Sequence, residues 1–249
     1  MIRWLFILMF SALPATAEQI VLGLSQNEVA ITTTFDGSEI LIFGAVKRDS
    51  PPPDETDLGV IVTISGPSER VTVRRKDRVA GIWVNNDSAT IDVAPSFFAV
   101  ASNRPLNEIL TQREDRQNRI SLGYAVRTIL PTNRGLQDYI EALLRVRQQN
   151  NLYQLLESHV ELTEGTLFRA TIELPSNLIE GEYRAEIYLT RAGEVIDVFR
   201  TAIPVQKVGP GQFFYTLAHQ QPAIYGLLSL AIAVAAGWMA SAAFGLMRR

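Results

Sequence analysis

The sequence predicts a mainly β protein: a two-sheet sandwich with a helical insertion, followed by one C-terminal transmembrane helix. Three observations carry this. From residue 20 to 100, and again from 160 to 205, short β-branched and apolar runs alternate with turn residues at close spacing. Between those stretches the apolar period changes to that of an amphipathic helix. Residues 223–247 then form an apolar run without a charge, closing on Arg248-Arg249, long enough to cross a bilayer with some tilt.

Residues 1–17 read as a signal peptide. Arg3 stands near the start, an apolar run to Leu13 follows, and Ala15-Thr16-Ala17 precedes a cut that leaves Glu18 as the mature start. An uncleaved anchor is the alternative. No cysteine follows the cut and a single arginine stands before it, which excludes a lipoprotein and a twin-arginine signal.

Residues 18–212 form the exported region. Residues 28–35 and 40–46 read as strands around Asp36-Gly37, a strong hairpin signal. Pro51, Pro52 and Pro53 mark an exposed loop, because three prolines cannot sit in a central strand. Residues 60–65, 70–79, 81–84 and 89–93 continue the strand pattern. The helical insertion is placed at about 104–158. Ser102-Asn103 can cap its first helix, with Pro105 in the first turn and Leu106, Ile109 and Leu110 on one face, opposite Arg113 and Arg116. Thr132 or Asn133 can cap the second, whose stripe is Leu136, Tyr139, Ile140, Leu143 and Leu144. Asn150-Asn151 breaks it, and Leu152, Tyr153, Leu155 and Leu156 read as a separate short turn.

Strands return at Val160. Residues 167–174 alternate polar and apolar, and 183–190 and 195–205 flank the turn Arg191-Ala192-Gly193-Glu194. The segment 175–181 leading into Tyr183 has the form of the corner before a late strand of immunoglobulin-like sandwiches, where a tyrosine hydroxyl pins the bend. Three strands are too few to stand alone, so one composite immunoglobulin-like β-sandwich is preferred over two small domains in series. Residues 213–222 are a juxtamembrane tether, with Phe213, Phe214, Tyr215 and Tyr225 as interfacial aromatics. Residues 223–247 are the span and 248–249 a cytoplasmic stub by the positive-inside rule, with the domain in the periplasm of a bacterial inner-membrane protein.

The composition narrows the chemistry. A net charge of −3 leaves no nucleic-acid footprint. The absence of cysteine removes thiol nucleophiles, disulfides and cysteine-based metal sites. The two histidines, His159 and His219, stand outside any HExxH or GxSxG pattern and read as structural. No catalytic, cofactor or metal residue is assigned, and the expectation is that the protein is not an enzyme.

Two surfaces stand out. In an extended strand, Arg70, Thr72, Arg74, Lys76 and Arg78 share one face, with Val71, Val73 and Val79 on the other. Arg70, Arg74, Lys76 and Arg78 are therefore a candidate face for an anionic ligand or lipid head groups; a charge-guarded edge strand is the plainer reading. Trp83 reads as a sandwich core residue rather than a ligand platform. Ser229, Ala233, Gly237, Ser241 and Gly245 recur every four residues in the span. Small residues at that spacing let helix backbones approach closely, which makes them a candidate packing face for another transmembrane helix, from a second copy or a multi-span partner.

Together Leu24-Ser25, Phe43-Gly44-Ala45, Gly66-Pro67, Arg74-Arg75-Lys76, Gly81-Ile82-Trp83-Val84-Asn85, Pro95-Ser96-Phe97, Leu167-Phe168-Arg169-Ala170, Gly181-Glu182-Tyr183 and Tyr225-Gly226-Leu227 form a distinctive set. On these residues the chain resembles, over nearly its whole length, a family of transmembrane proteins of alphaproteobacteria without an established activity. The resemblance carries over no functional residue. It implies, by association with sulfite-exporter-like transporters, an accessory role beside a polytopic inner-membrane transporter. The expected function is accordingly a membrane-anchored periplasmic interaction or accessory protein; the alternative is an anionic-ligand-binding module using the 70–78 face.

Overall fold

The structure, a computed structural model, describes residues 19–24, 29–31, 37–47, 58–128, 135–207, 215 and 217–247. The signal peptide at 1–17, Asp36, the proline loop, the caps at Thr132 and Asn133, most of the tether before Tyr215 and the stub at 248–249 lie outside the described residues.

Strands from before and after the helical segment meet in both sheets of a sandwich. The first sheet orders β1 (Gln19–Leu24), β3 (Ser38–Lys47), β10 (Leu167–Leu174) and β9 (Glu161–Thr163). The second orders β2 (Val29–Ile31), β12 (Glu194–Lys207), β11 (Gly181–Arg191), β4 (Leu58–Ser65), β7 (Phe98–Ser102) and β8 (Tyr153–Leu156). Pairing is antiparallel except where β2 lies parallel to β12 and β8 parallel to β7. Ile42, Phe168 and Ile172 from the first sheet pack with Val62, Ile187 and Ile203 from the second. The alternation read in 167–174 is realised in full: Phe168, Ala170, Ile172 and Leu174 are buried and their neighbours exposed.

The larger sheet is covered on both faces. Its second face carries Ile61, Val100 and Tyr188, which pack under Ile109, Ile120, Leu122 and Leu143 from the helical segment. β4 is buried along nearly its whole length for this reason, and its uninterrupted apolar run Val60-Ile61-Val62 is the composition of a strand covered twice. Gly59 permits the close seat of the helix above it, since a Cβ there would stand 2.8 Å from that of Ile109.

The helical segment is more broken than the periodicity predicts. It forms α1 (Leu106–Ile109), α2 (Gln112–Asn118), α3 (Leu122–Ala125) and α4 (Leu136–Gln149). The first helix stops at Leu110, which is extended, and restarts because the Thr111 side chain caps the Glu114 N–H. Ser102 and Asn103 are not caps. Ser102 ends β7, and the Asn103 side chain ties β4 by accepting from Val60 N at 2.9 Å and donating to Leu58 O at 3.0 Å. Tyr139 and Leu143 are buried as the stripe requires, and the chain leaves α4 at Asn150. Residues 153–156 are a strand, not a turn: the parallel ladder to β7 was invisible locally, since a short apolar run takes its period from its partner.

Tyr183 makes the corner contact that the sequence suggests. Its hydroxyl donates to the Ile179 carbonyl at 2.9 Å, and the ring is buried near Phe97 with centroids 6.3 Å apart. Tyr183→Phe is expected to cost about 1 kcal/mol, read as a drop in thermal midpoint of roughly 2–4 °C.

Tyr153 and Tyr188 are also buried, donating to Pro95 O at 2.8 Å and to Glu186 Oε2 at 2.6 Å. Burial pushes both phenols up from their ordinary value, and for Tyr188 the bond to Glu186 acts in the same direction. A raised phenol contributes stability that is complete below the unfolded value of about 10 and is lost as pH climbs above it. Melting midpoints are expected to stay level to about pH 9 and then fall, with a shallower fall in Tyr153→Phe.

Beyond the sandwich, α5 (Pro222–Met247) is a single apolar helix preceded by a helical turn at 217–220. Its segment Pro222–Ser241 has the length and composition of a membrane span.

Candidate interaction surfaces

β5 (Ser68–Val79) and β6 (Ile82–Pro95) are not sandwich strands. Among the described strands they pair only with each other, as a two-stranded ribbon. The sequence reading divided 81–84 from 89–93, whereas β6 is one strand of 14 residues. The division failed because the polar run Asn85-Asn86-Asp87-Ser88 stays in the ladder, with Asn85 opposite Lys76 and Ser88 opposite Arg74; the turn is Ala80-Gly81, where both residues have positive φ, 50° and 86°, as a two-residue hairpin loop demands.

The base of the ribbon is anchored. Ile91 and Ala94 are buried in the second core, with Val71 and Val73 packed against it. Arg147 on α4 pairs with Glu69 and reaches the Ser96 carbonyl at 3.4 Å. Val93 and Arg127 exchange two backbone hydrogen bonds at 3.0 Å. Past this base, among the described residues, every residue from Arg74 to Ser88 except Asp77 is exposed. Six residues of β5 from Arg74 to Val79 project about 20 Å at the strand rise.

The tip is apolar and its collar is cationic. Val79, Ile82 and Trp83 are 53%, 68% and 67% exposed, and Val84 is exposed beside them. Trp83 is therefore not a core residue. It lies directly opposite Arg78 in the ladder, and Lys76 lies opposite Asn85, so the indole shares a face with the basic side chains. The structure places Arg74, Lys76 and Arg78 exposed on that face, where among the described residues none has a carboxylate partner, while Asp92 holds Arg70 at 3.3 Å. Asp77 is engaged by Asn86 at 3.0 Å and Arg75 at 3.8 Å. A bulge between Arg75 and Lys76 twists the outer half of the ribbon.

In α5, Ser229, Ala233, Gly237 and Ser241 are exposed and Gly245 lies in the last turns of the helix. A Cβ at Gly237 would meet nothing within 4 Å, and Ser229 Oγ donates to the Tyr225 carbonyl at 2.9 Å. His159 sits on the surface with Nδ1 3.5 Å from the Glu157 carbonyl, and His219 stacks on Tyr215 at 4.0 Å. Among the described residues no three metal-ligating side chains come together.

Residues 19–245 match the profile of the family described as "Putative transmembrane protein (Alph_Pro_TM)". The chain belongs to this family. Membership in Alph_Pro_TM agrees with the one candidate span among the described residues, and the family's name points to alphaproteobacteria. No curated protein matches. Among solved structures the Alph_Pro_TM chain is similar to dimeric latent PorU from Porphyromonas gingivalis, with 11% identity and a TM-score of 0.29 over 80% of this chain and 13% of that one. It thus spans about an eighth of that protein, and a likeness at this level carries no argument about function.

Proposed function

We propose that the protein is a non-enzymatic interaction module of the bacterial inner membrane, held in the periplasm by α5 with its C-terminus in the cytoplasm. Its β5–β6 hairpin docks a multi-span membrane protein such as a transporter; nucleic acid is not a partner. The observation that carries this reading is the exposed Val79, Ile82 and Trp83 tip on a ribbon pinned at its base. Exposed apolar side chains rimmed by charge, here Val79 and Ile82 on one ribbon face and Trp83 on the other, mark a contact site, and buried aromatic anchors carry most of the binding energy at interfaces. The collar of Arg74, Lys76 and Arg78 fits a partner pocket rimmed by carboxylates. Strand order and the Tyr183 corner support an immunoglobulin-like sandwich of variable type, with β4, β7 and β8 extending the second sheet.

The same basic face beside an indole also suits anionic lipid head groups or a small anion, and one experiment separates the readings. The full chain carrying Arg74→Glu and Lys76→Glu is compared with wild type in mild-detergent co-purification and in vesicle binding. Loss of a membrane-protein partner without change in vesicle binding supports docking. Loss of vesicle or anion binding with the complex intact transfers the function to the ligand reading.

Two expectations concern the anchor. A cytoplasmic reporter fused after Arg249 is expected to be active and a periplasmic one silent; the reverse overturns the orientation. Gly237→Leu is expected to weaken helix association in a two-helix membrane assay by about 1 kcal/mol without impairing insertion, while Leu230→Ala leaves it unchanged. Equal association of both variants removes the stripe from the interface.

A further inference from the structure

Beside the hairpin base, on the helix-covered face of the larger sheet, lies a cavity of about 230 Å3. Four arginines line it: Arg119, Arg127, Arg184 and Arg200, with Glu186 as the carboxylate among its lining residues. They come from separate parts of the chain, and backbone structure fixes each. Arg119 follows α2 as a left-handed cap, φ 58°, its N–H bonded to the Asp115 carbonyl at 2.7 Å. Arg127 is held by its backbone pair with Val93. Arg184 and Arg200 stand on the paired strands β11 and β12.

The charges do not balance. Glu186 is already engaged twice, accepting from Arg200 Nε at 2.9 Å and from the Tyr188 hydroxyl at 2.6 Å. Among the described residues no carboxylate pairs with Arg119, Arg127 or Arg184. In a chain whose net charge is −3, three uncompensated guanidinium groups around one concave site are not a by-product of a basic composition. Like charges at close quarters repel, and a bound anion relieves this. Guanidinium forks match the paired oxygens of phosphate and carboxylate. The cavity is smaller than sites for drug-sized ligands, which begin near 300 Å3, so it suits one oxyanion group rather than a nucleotide.

We infer that this cavity binds a phosphate-class oxyanion, either free or as the exposed phosphoryl group of a larger molecule. The site is separate from the hairpin tip, and neither reading depends on the other.

The test uses the full chain in mild detergent, titrated calorimetrically with inorganic phosphate and with glycerol 3-phosphate, and in parallel with vesicles containing phosphatidylglycerol. The variants are Arg127→Ala/Arg184→Ala and, as a control, Arg113→Ala/Arg145→Ala, two exposed arginines that do not line the cavity. Both paired variants replace exposed side chains, so folding is expected to persist, and the thermal midpoint verifies it. Wild type is expected to bind at least one phosphate probe, and the Arg127/Arg184 pair to weaken that binding about tenfold or more. The Arg113/Arg145 control is expected to leave it unchanged. Arg184→Lys is expected to recover part of the affinity, because charge returns without the fork. Binding of the soluble probes assigns a free or small-molecule phosphate; arginine-dependent binding seen only with vesicles assigns a lipid head group. No binding of any probe up to about 10 mM, weaker than any useful site, or binding unchanged in the Arg127/Arg184 pair, overturns the inference.

Discussion

Replacing Ile82 by Ser and Trp83 by Ala in one chain is expected to abolish partner capture while leaving the thermal midpoint unchanged. Both side chains are more than two-thirds bare to solvent, so the folded domain loses almost no buried area when they are cut back. A complex that buries them loses an anchor, and truncating a central aromatic typically costs about 2–4 kcal/mol, or roughly 30- to 1000-fold in affinity. Quantitative co-purification from detergent-solubilised membranes reads the loss, and circular dichroism melts read the fold. A parallel fall in stability would mean instead that the tip packs within the protein.

Phe97→Ala has the opposite signature, with a large loss of stability. Phe97 is fully buried at the junction of β6 and β7, its ring beside Tyr183 and its carbonyl accepting from Gly66 N at 2.8 Å. It sits where the hairpin leaves the sandwich, so the cavity left behind loosens both. Removing a buried phenylalanine ring costs about 3–5 kcal/mol, which in a domain of this size lowers the melting midpoint by roughly 10–15 °C. Partner binding at low temperature is expected to survive in the fraction that remains folded. A drop of under about 2 °C would show that this junction is not packed as described.

What the sequence made legible was what is local. Residues 167–174 alternate because their strand has one buried face, and the period of two is printed in the chain. Tyr183 follows a turn-rich corner, and its hydrogen bond spans four residues. The span declares itself by length and lack of charge. What escaped depended on partners distant in the chain. β8 is a strand because β7 runs parallel beside it. By its residue type Trp83 reads as core, yet a two-residue turn puts it at the end of a ribbon whose outer half is exposed among the described residues. One signal pointed there: charges crowd residues 74–78 on both strand faces, which no sandwich strand tolerates. The arginine cavity was not legible at all, because Arg119 and Arg200 are brought together only by the packing of helices on the second sheet.

The hairpin tip is the proposed docking element of an anchored domain, and crosslinking in native membranes tests it most directly. A photoreactive amino acid is placed at position 83, and as a control at position 167, an exposed apolar residue on the outer face of the smaller sheet. A discrete membrane-protein adduct is expected from position 83, lost when Arg74 and Lys76 are reversed to glutamate, and none from position 167. Adducts to lipid alone from position 83, or the same protein adduct from both positions, would contradict it.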